Sequence, residues 1–194
     1  MRVGIFGGSF DPVHIGHLIL AEQCLEQGML DRVDFVPAPR PPHKAQGTHA
    51  SFEQRAQMLS AALQGHSQFS VNTCEQNRPG LSYTVDTLRH LHTSEPGNEW
   101  YLILGMDSVH DLETWRDPQG IAKLCTLMIV KRPGIKLDEP PEYFRSHYVD
   151  APLIEISSTD IRQRVADQRS IRYLVPDSVR TIIEKEKWYR PVSG

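Results

Sequence analysis

Cysteine is scarce in this chain, and the patterns that cysteine chemistry needs are missing. The 194 residues contain three, Cys24, Cys74 and Cys125, far apart and with no CxxC pair. That argues against a zinc knot or a disulfide framework and fits buried thiols in a reducing compartment. No apolar run approaches the length that crosses a bilayer, and no basic-then-apolar leader precedes the first strand-like stretch. The expected location is therefore the cytoplasm, with no membrane partner. A basic excess is also lacking: 21 Lys and Arg stand against 24 Asp and Glu, for a net charge of −3. General nucleic-acid binding draws on a broad positive surface, so no nucleic-acid partner is expected and any attraction for phosphate has to be local. A Gly-x-x-x-x-Gly-Lys-Ser/Thr phosphate loop is absent, which removes P-loop kinases from consideration.

What is present is a repeating alternation of short apolar runs and helix-period segments. Strands are expected at Arg2–Phe6, Arg32–Val36, Phe69–Thr73, Trp100–Leu104, Thr126–Lys131 and Leu153–Ile156. Between them, helices are expected at Ile15–Leu25, closed by Gly28, at Phe52–Leu63 and at Thr84–His92, with a short piece at Ile121–Leu124. Ser51 and Gln54 have the spacing of a capping box. Two further helices, Thr159–Ala166 and Ser178–Lys187, follow the last strand. This order implies an α/β fold: a Rossmann-like, doubly wound, mostly parallel sheet with helices on both faces. A single domain over residues 1–194 is expected, with a small helical part at its C-terminal end. Residues 133–148, with Pro133-Gly134 and Pro140-Pro141, read as a surface excursion.

The densest chemistry lies in Gly7-Gly8-Ser9-Phe10-Asp11-Pro12-Val13-His14-Ile15-Gly16-His17, between the first strand and the first helix. Small residues there let backbone approach a ligand, and free amides at a helix start favour an anion. His14 and His17 are one helical turn apart, so both can donate to one polyphosphate; a metal site or a merely exposed helix face has the same spacing.

Three other segments carry candidate groups. Pro37-Ala38-Pro39-Arg40-Pro41-Pro42-His43-Lys44 follows the second strand; its prolines stiffen it and hold His43 and Lys44 at little ordering cost, unless it is a plain spacer. Gly105-Met106-Asp107-Ser108 follows another strand, where a carboxylate can accept from ribose hydroxyls or simply serve a helix dipole. Trp115 is either core or a stacking platform for a flat ring. In Ser157-Ser158-Thr159-Asp160-Ile161-Arg162, Ser158 or Thr159 suits an N-cap, while the Arg162 guanidinium, one turn in, can return to make a forked phosphate contact.

The string His14-Ile15-Gly16-His17 resembles the nucleotide-binding signature of the nucleotidylyltransferase superfamily, shared with class I aminoacyl-tRNA synthetases. With Gly7 to Pro12 before it, the chain is most similar to the bacterial nicotinate-nucleotide adenylyltransferases. The resemblance spans residues 7 to 176 and implies transfer of AMP from ATP to nicotinate mononucleotide, giving nicotinate adenine dinucleotide and pyrophosphate, with Mg²⁺ accompanying ATP and no protein ligand assigned to it. It implies catalytic roles for His14, His17, Lys44 and Arg162. ATP is expected at Gly7, Gly8, Ser9, Phe10, His14, His17, Gly105, Asp107, Ser158, Thr159 and Arg162. The mononucleotide is expected at Ser9, Phe10, Lys44, Tyr83, Thr84 and Trp115, with Ser82-Tyr83-Thr84 opening a helix beside the pyridine carboxylate. Pantetheine-phosphate adenylyltransferases and glycerol-phosphate cytidylyltransferases share the first motif but fit the Pro-Pro-His-Lys and Ser82–Thr84 segments poorly. The chain is short for a tRNA synthetase and lacks Lys-Met-Ser-Lys-Ser. A nucleotide-binding regulator without turnover is the alternative from another class. The expected partners are these small molecules, and self-association into a homo-oligomer is left open.

Overall fold

The computed structural model describes residues 1–41, 47–131 and 139–191. Six strands form one sheet: β1 (Arg2–Gly8), β2 (Arg32–Pro37), β3 (Phe69–Val71), β4 (Glu99–Gly105), β5 (Thr126–Lys131) and β6 (Ser146–Asp150). All five pairings are parallel and the spatial order is β3-β2-β1-β4-β5-β6. The chain winds outward from β1 to one edge, returns, and winds from β4 to the other, as expected of a doubly wound fold.

Alternation along the central strands feeds two cores. Trp100, Leu102 and Leu104 of β4 face one side with Leu127 and Ile129 of β5; Tyr101 and Ile103 face the other with Met128 and Val130. The first side is covered by α3 (Thr84–Ser94), the short α4 (Met106–Val109) and α5 (Pro118–Leu124), through Val85, Leu88 and Ile121. The second is covered by α1 (Ile15–Gln27), α2 (Phe52–Leu63), α6 (Ser158–Ala166) and α7 (Asp177–Glu186), through Cys24, Met58, Ile161 and Ile183. The C-terminal helices thus complete the covering of a sheet face. Strands buried on both faces read as continuous apolar runs, which is why β4 and β5 are plain in the sequence.

One expectation fails at the far edge. The sequence predicts an excursion over 133–148 and a strand over 153–156, but β6 is Ser146–Asp150 and no strand occurs among 151–157. The edge strand buries only Val149 of its five residues, so it carries little apolar signal. Leu153 is 54% exposed, and its segment runs from the filled edge position to the start of α6. Among the described residues, no helix is long and apolar enough to cross a membrane.

The β1–β4 pairing ends early, and this positions the site. Its register runs from Arg2↔Glu99 to Ile5↔Leu102. β1 stays with β2 as far as Gly8↔Pro37, and β4 with β5 as far as Gly105↔Val130. Past Ile5 and Leu102 the two strands part, opening a crevice at the switch point.

The expected capping box forms at α2: Ser51 Oγ accepts from the Gln54 N–H at 3.2 Å, and Gln54 Oε1 accepts from the Ser51 N–H at 2.8 Å. Ser51→Ala is expected to lower unfolding free energy by about 1 kcal/mol, read as a lower urea midpoint at unchanged slope.

Candidate active site

Gly7 and Gly8 end β1 at the mouth of this crevice. A Cβ at Gly7 would meet nothing within 4 Å, so its backbone is open to a ligand, whereas one at Gly8 would lie 3.0 Å from the Phe10 ring. That ring folds back beneath the turn, 1% exposed, edge-on to Phe6 at 5.6 Å and to His17 at 5.1 Å. The Phe10 side chain, expected at substrate, thus supports the turn from below.

His14 is the N-cap of α1, and its ring stacks on that of His17 with centroids 3.6 Å apart. Gly16 makes this possible, because a Cβ there would sit 3.1 Å from His14 Nδ1. His17 Nδ1 accepts from the His14 N–H at 3.2 Å, which leaves the proton of a neutral ring on Nε2. Burial pushes the His14 pKa down to about 4, and burial followed by repulsion from His14 holds His17 well below its usual value. At neutral pH the pair is uncharged, so each ring offers one N–H donor and no positive charge. The α1 amides are less free than expected: the Ile15 N–H donates to the Leu174 carbonyl at 3.0 Å.

The start of α6 lies against the same loop. Ser157 is the cap, its Oγ accepting from the Asp160 N–H at 3.0 Å, so neither Ser158 nor Thr159 fills that role. Ser158 Oγ instead donates to the Pro12 carbonyl at 2.9 Å. Arg162 Nη1 donates to the Asp11 carbonyl at 2.7 Å, and Nη2 to Thr159 Oγ1 at 3.2 Å. The guanidinium has five N–H donors, so further ones remain for a phosphate. Arg162 and the histidine pair, distant in sequence, are thus held on one turn.

The other half of the crevice is a cavity of about 400 Å³ whose walls include Gly7, Ser9, Tyr83, Thr84 and Trp115. Tyr83 is the N-cap of α3 and Thr84 its first residue, so the helix start opens onto this space. Trp115 is half-buried and, like Tyr83, packed against the first core. Gly105 and Asp107 stand at the end of β4. A Cβ added at Gly105 would have nothing within 4 Å, and Asp107 is exposed in the first turn of α4. Lys44 lies outside the described residues.

Several groups here carry no assignment from the sequence. Arg116 and Glu75 also line the cavity. The Arg116 guanidinium lies 4.7 Å from the Tyr83 ring centroid and pairs with Asp86 at 3.3 Å. Glu75 is 6% exposed, bonded through Oε1 to Thr87 Oγ1. Asp11 sits inside the glycine-turn motif without a role there, and Arg55 and Tyr189 give no local signal; all three meet beneath the turn.

Residues 5–164 match the cytidylyltransferase-like family. A probable nicotinate-nucleotide adenylyltransferase of Exiguobacterium sibiricum is 47% identical over 189 residues, covering 97% of this chain and 99% of the relative. One of Thermus thermophilus is 45% identical over 190 residues, covering 98% of this chain and all of the relative. Among solved structures, the Plasmodium falciparum nicotinic acid mononucleotide adenylyltransferase complexed with NaAD superposes with a TM-score of 0.81 at 21% identity, over 97% of both chains.

The buried neutral histidines make stability depend on pH. Because folding lowers the His14 pKa from 6.5 to about 4, the unfolded chain binds more protons between those values, and stability falls as pH drops through that window. The shift corresponds to about 3 kcal/mol at full protonation of the unfolded state, with His17 adding in the same direction. Urea unfolding from pH 7 to 4 should show this slope, and His14→Gln should flatten it.

Proposed function

The chain belongs to the cytidylyltransferase-like family and, within it, to the nicotinate-nucleotide adenylyltransferases, and from that premise we propose that it transfers AMP from ATP to nicotinate mononucleotide, forming nicotinate adenine dinucleotide and pyrophosphate. The observation that supports this reading is the crevice between β1 and β4, with a cavity of about 400 Å³ on one side and, around the β1–α1 turn, the stacked His14 and His17 and the Arg162 bond to the Asp11 carbonyl.

The two substrates meet over Gly7 and Gly8. A phosphate oxygen of the mononucleotide attacks the α-phosphorus of ATP; that P–O bond forms as the bond to the β-phosphate breaks, and pyrophosphate leaves. No covalent enzyme intermediate is required, so the protein supplies position and charge stabilisation. His17 Nε2–H, fixed by the Nδ1 bond to the His14 amide, donates to an oxygen of the departing phosphates. His14 does the same from the adjoining ring. Arg162 uses the donors it does not spend on Asp11 and Thr159, Ser158 and Thr159 lie beside the triphosphate, and Lys44 supplies a further cation. Gly105 and Asp107 stand where the nucleoside sugar would rest.

At the other end the pyridine ring lies against Trp115, with Tyr83 and Thr84 at its carboxylate. The start of α3 favours a carboxylate over a neutral amide, and Arg116 adds positive charge to the same wall. Mg²⁺ is the divalent ion expected with ATP. Among the described residues no group of three His, Cys, Asp or Glu could hold a metal, so its ligands would be phosphate oxygens and water, and no step here runs through it.

Pyrophosphate release with ATP and a panel of nicotinate, nicotinamide, pantetheine and glycerol phosphates tests the reading; activity with the nicotinate substrate is expected to dominate, and its absence would overturn the assignment. His17→Ala is expected to lower kcat by roughly 10²- to 10³-fold while circular dichroism stays unchanged. The acid mononucleotide is expected to have the higher kcat/KM than its amide, with equal values removing the α3 start from specificity.

A further inference from the structure

Beneath the β1–α1 turn lies a buried ionic cluster that touches no proposed substrate. The Asp11 carboxylate is 0% exposed. Its Oδ1 accepts from the Ala50 N–H at 3.1 Å and from the Tyr189 hydroxyl at 2.9 Å; its Oδ2 accepts from the His49 N–H at 2.8 Å and lies 3.9 Å from Arg162 Nη1. Arg55, also 0% exposed, donates from Nη1 to the Ser9 carbonyl at 2.6 Å, while its Nε and Nη2 lack partners among the described residues.

Such a cluster is a poor device for stability. Taking ions out of water is costly, and Arg55 recovers little of that cost through its one bond among the described residues, to the Ser9 carbonyl. Tyr189 also holds a backbone φ of 62°, in the left-handed region that a bulky residue rarely adopts unless its surroundings impose it. What the cluster does achieve is to fix two carbonyls. Arg55 holds that of Ser9. Asp11, tied through its side chain to Tyr189 and to the 49–50 backbone, presents its own carbonyl to Arg162 at 2.7 Å.

On the adenylyl-transfer reading, we infer that Tyr189 and Arg55 are positioning residues: acting through Asp11 and Ser9, they hold the turn that aims the Arg162 guanidinium at the triphosphate. The chain's end thereby controls a phosphate contact made by a helix some 30 residues before it.

The test is a double-mutant cycle, because a merely structural residue would lower activity equally in any background. Tyr189→Phe is expected to reduce kcat about 10-fold with the KM for nicotinate mononucleotide held within about twofold, and to reduce it by less than about twofold when Arg162→Ala is already present. Equal losses in both backgrounds, or no loss in the unaltered enzyme, overturn the inference. Should Tyr189→Phe fail to fold by circular dichroism, Arg55→Met, which keeps the side-chain length but removes the donor to the Ser9 carbonyl, carries the same comparison with the same criteria. Calorimetric affinity for Mg·ATP separates this inference from the reading it rests on. If the unaltered protein releases no pyrophosphate, adenylyl transfer fails; weaker Mg·ATP binding by Tyr189→Phe only where Arg162 is intact then still upholds the positioning role, and equal weakening in both backgrounds overturns it.

Discussion

The parting of β1 and β4 beyond Ile5 and Leu102 is the constraint on which everything else in this protein rests. A parallel sheet wound in both directions from its centre carries the crossovers of its two halves on opposite faces, so the loops leaving the two central strands diverge. Backbone groups that would otherwise continue the ladder then face open space. Gly7 and Gly105 exploit this, since neither strand end carries a side chain to fill the gap. On the proposed reading, two substrates would approach end to end there, each half of the fold supplying one wall.

A second consequence concerns how charge is handled. The histidine pair sits deep enough, stacked and backed by Phe6 and Phe10, that both rings are neutral at physiological pH. On the proposed reading they would meet phosphate as oriented dipoles whose direction is set before the ligand arrives. Arg162 remains partly accessible and is held by the Asp11 carbonyl and the Thr159 hydroxyl, with the Asp11 carboxylate 3.9 Å away. Preorganised donors of this kind require no rearrangement as charge develops in the transition state. Their cost appears elsewhere, as buried groups such as His14 Nδ1 with no partner among the described residues.

Most of the fold is legible in the sequence because its signals are local. α2 and β5 begin and end where capping chemistry and apolar runs place them, and Gly28 closes α1. The failures have a common cause. β6 is an edge strand with one buried residue, while the more apolar 153–156 segment passes the sheet without pairing, because hydrophobicity does not say which segment reaches the open edge first. Phe10 has the position of a ligand contact in its motif, while its ring lies 3.0 Å from where a Cβ at Gly8 would sit, a packing relation that the motif does not announce. Ser157, one residue before the expected cap, takes that role and releases Ser158 to bond Pro12.

The sequence by itself determined the order of strands and helices, the glycine turn, the spacing of the histidines and the chemical types gathered into motifs, since each depends on residues within a few positions of one another. Only the tertiary structure decided that Arg162 reaches Asp11 across 151 positions, that Leu174 covers an α1 amide, that burial strips the histidines of charge, and that Tyr189 and Arg55 meet under the turn. Burial and long-range hydrogen bonding are properties of the packed chain, and no local pattern encodes which distant group will arrive to satisfy a given carbonyl.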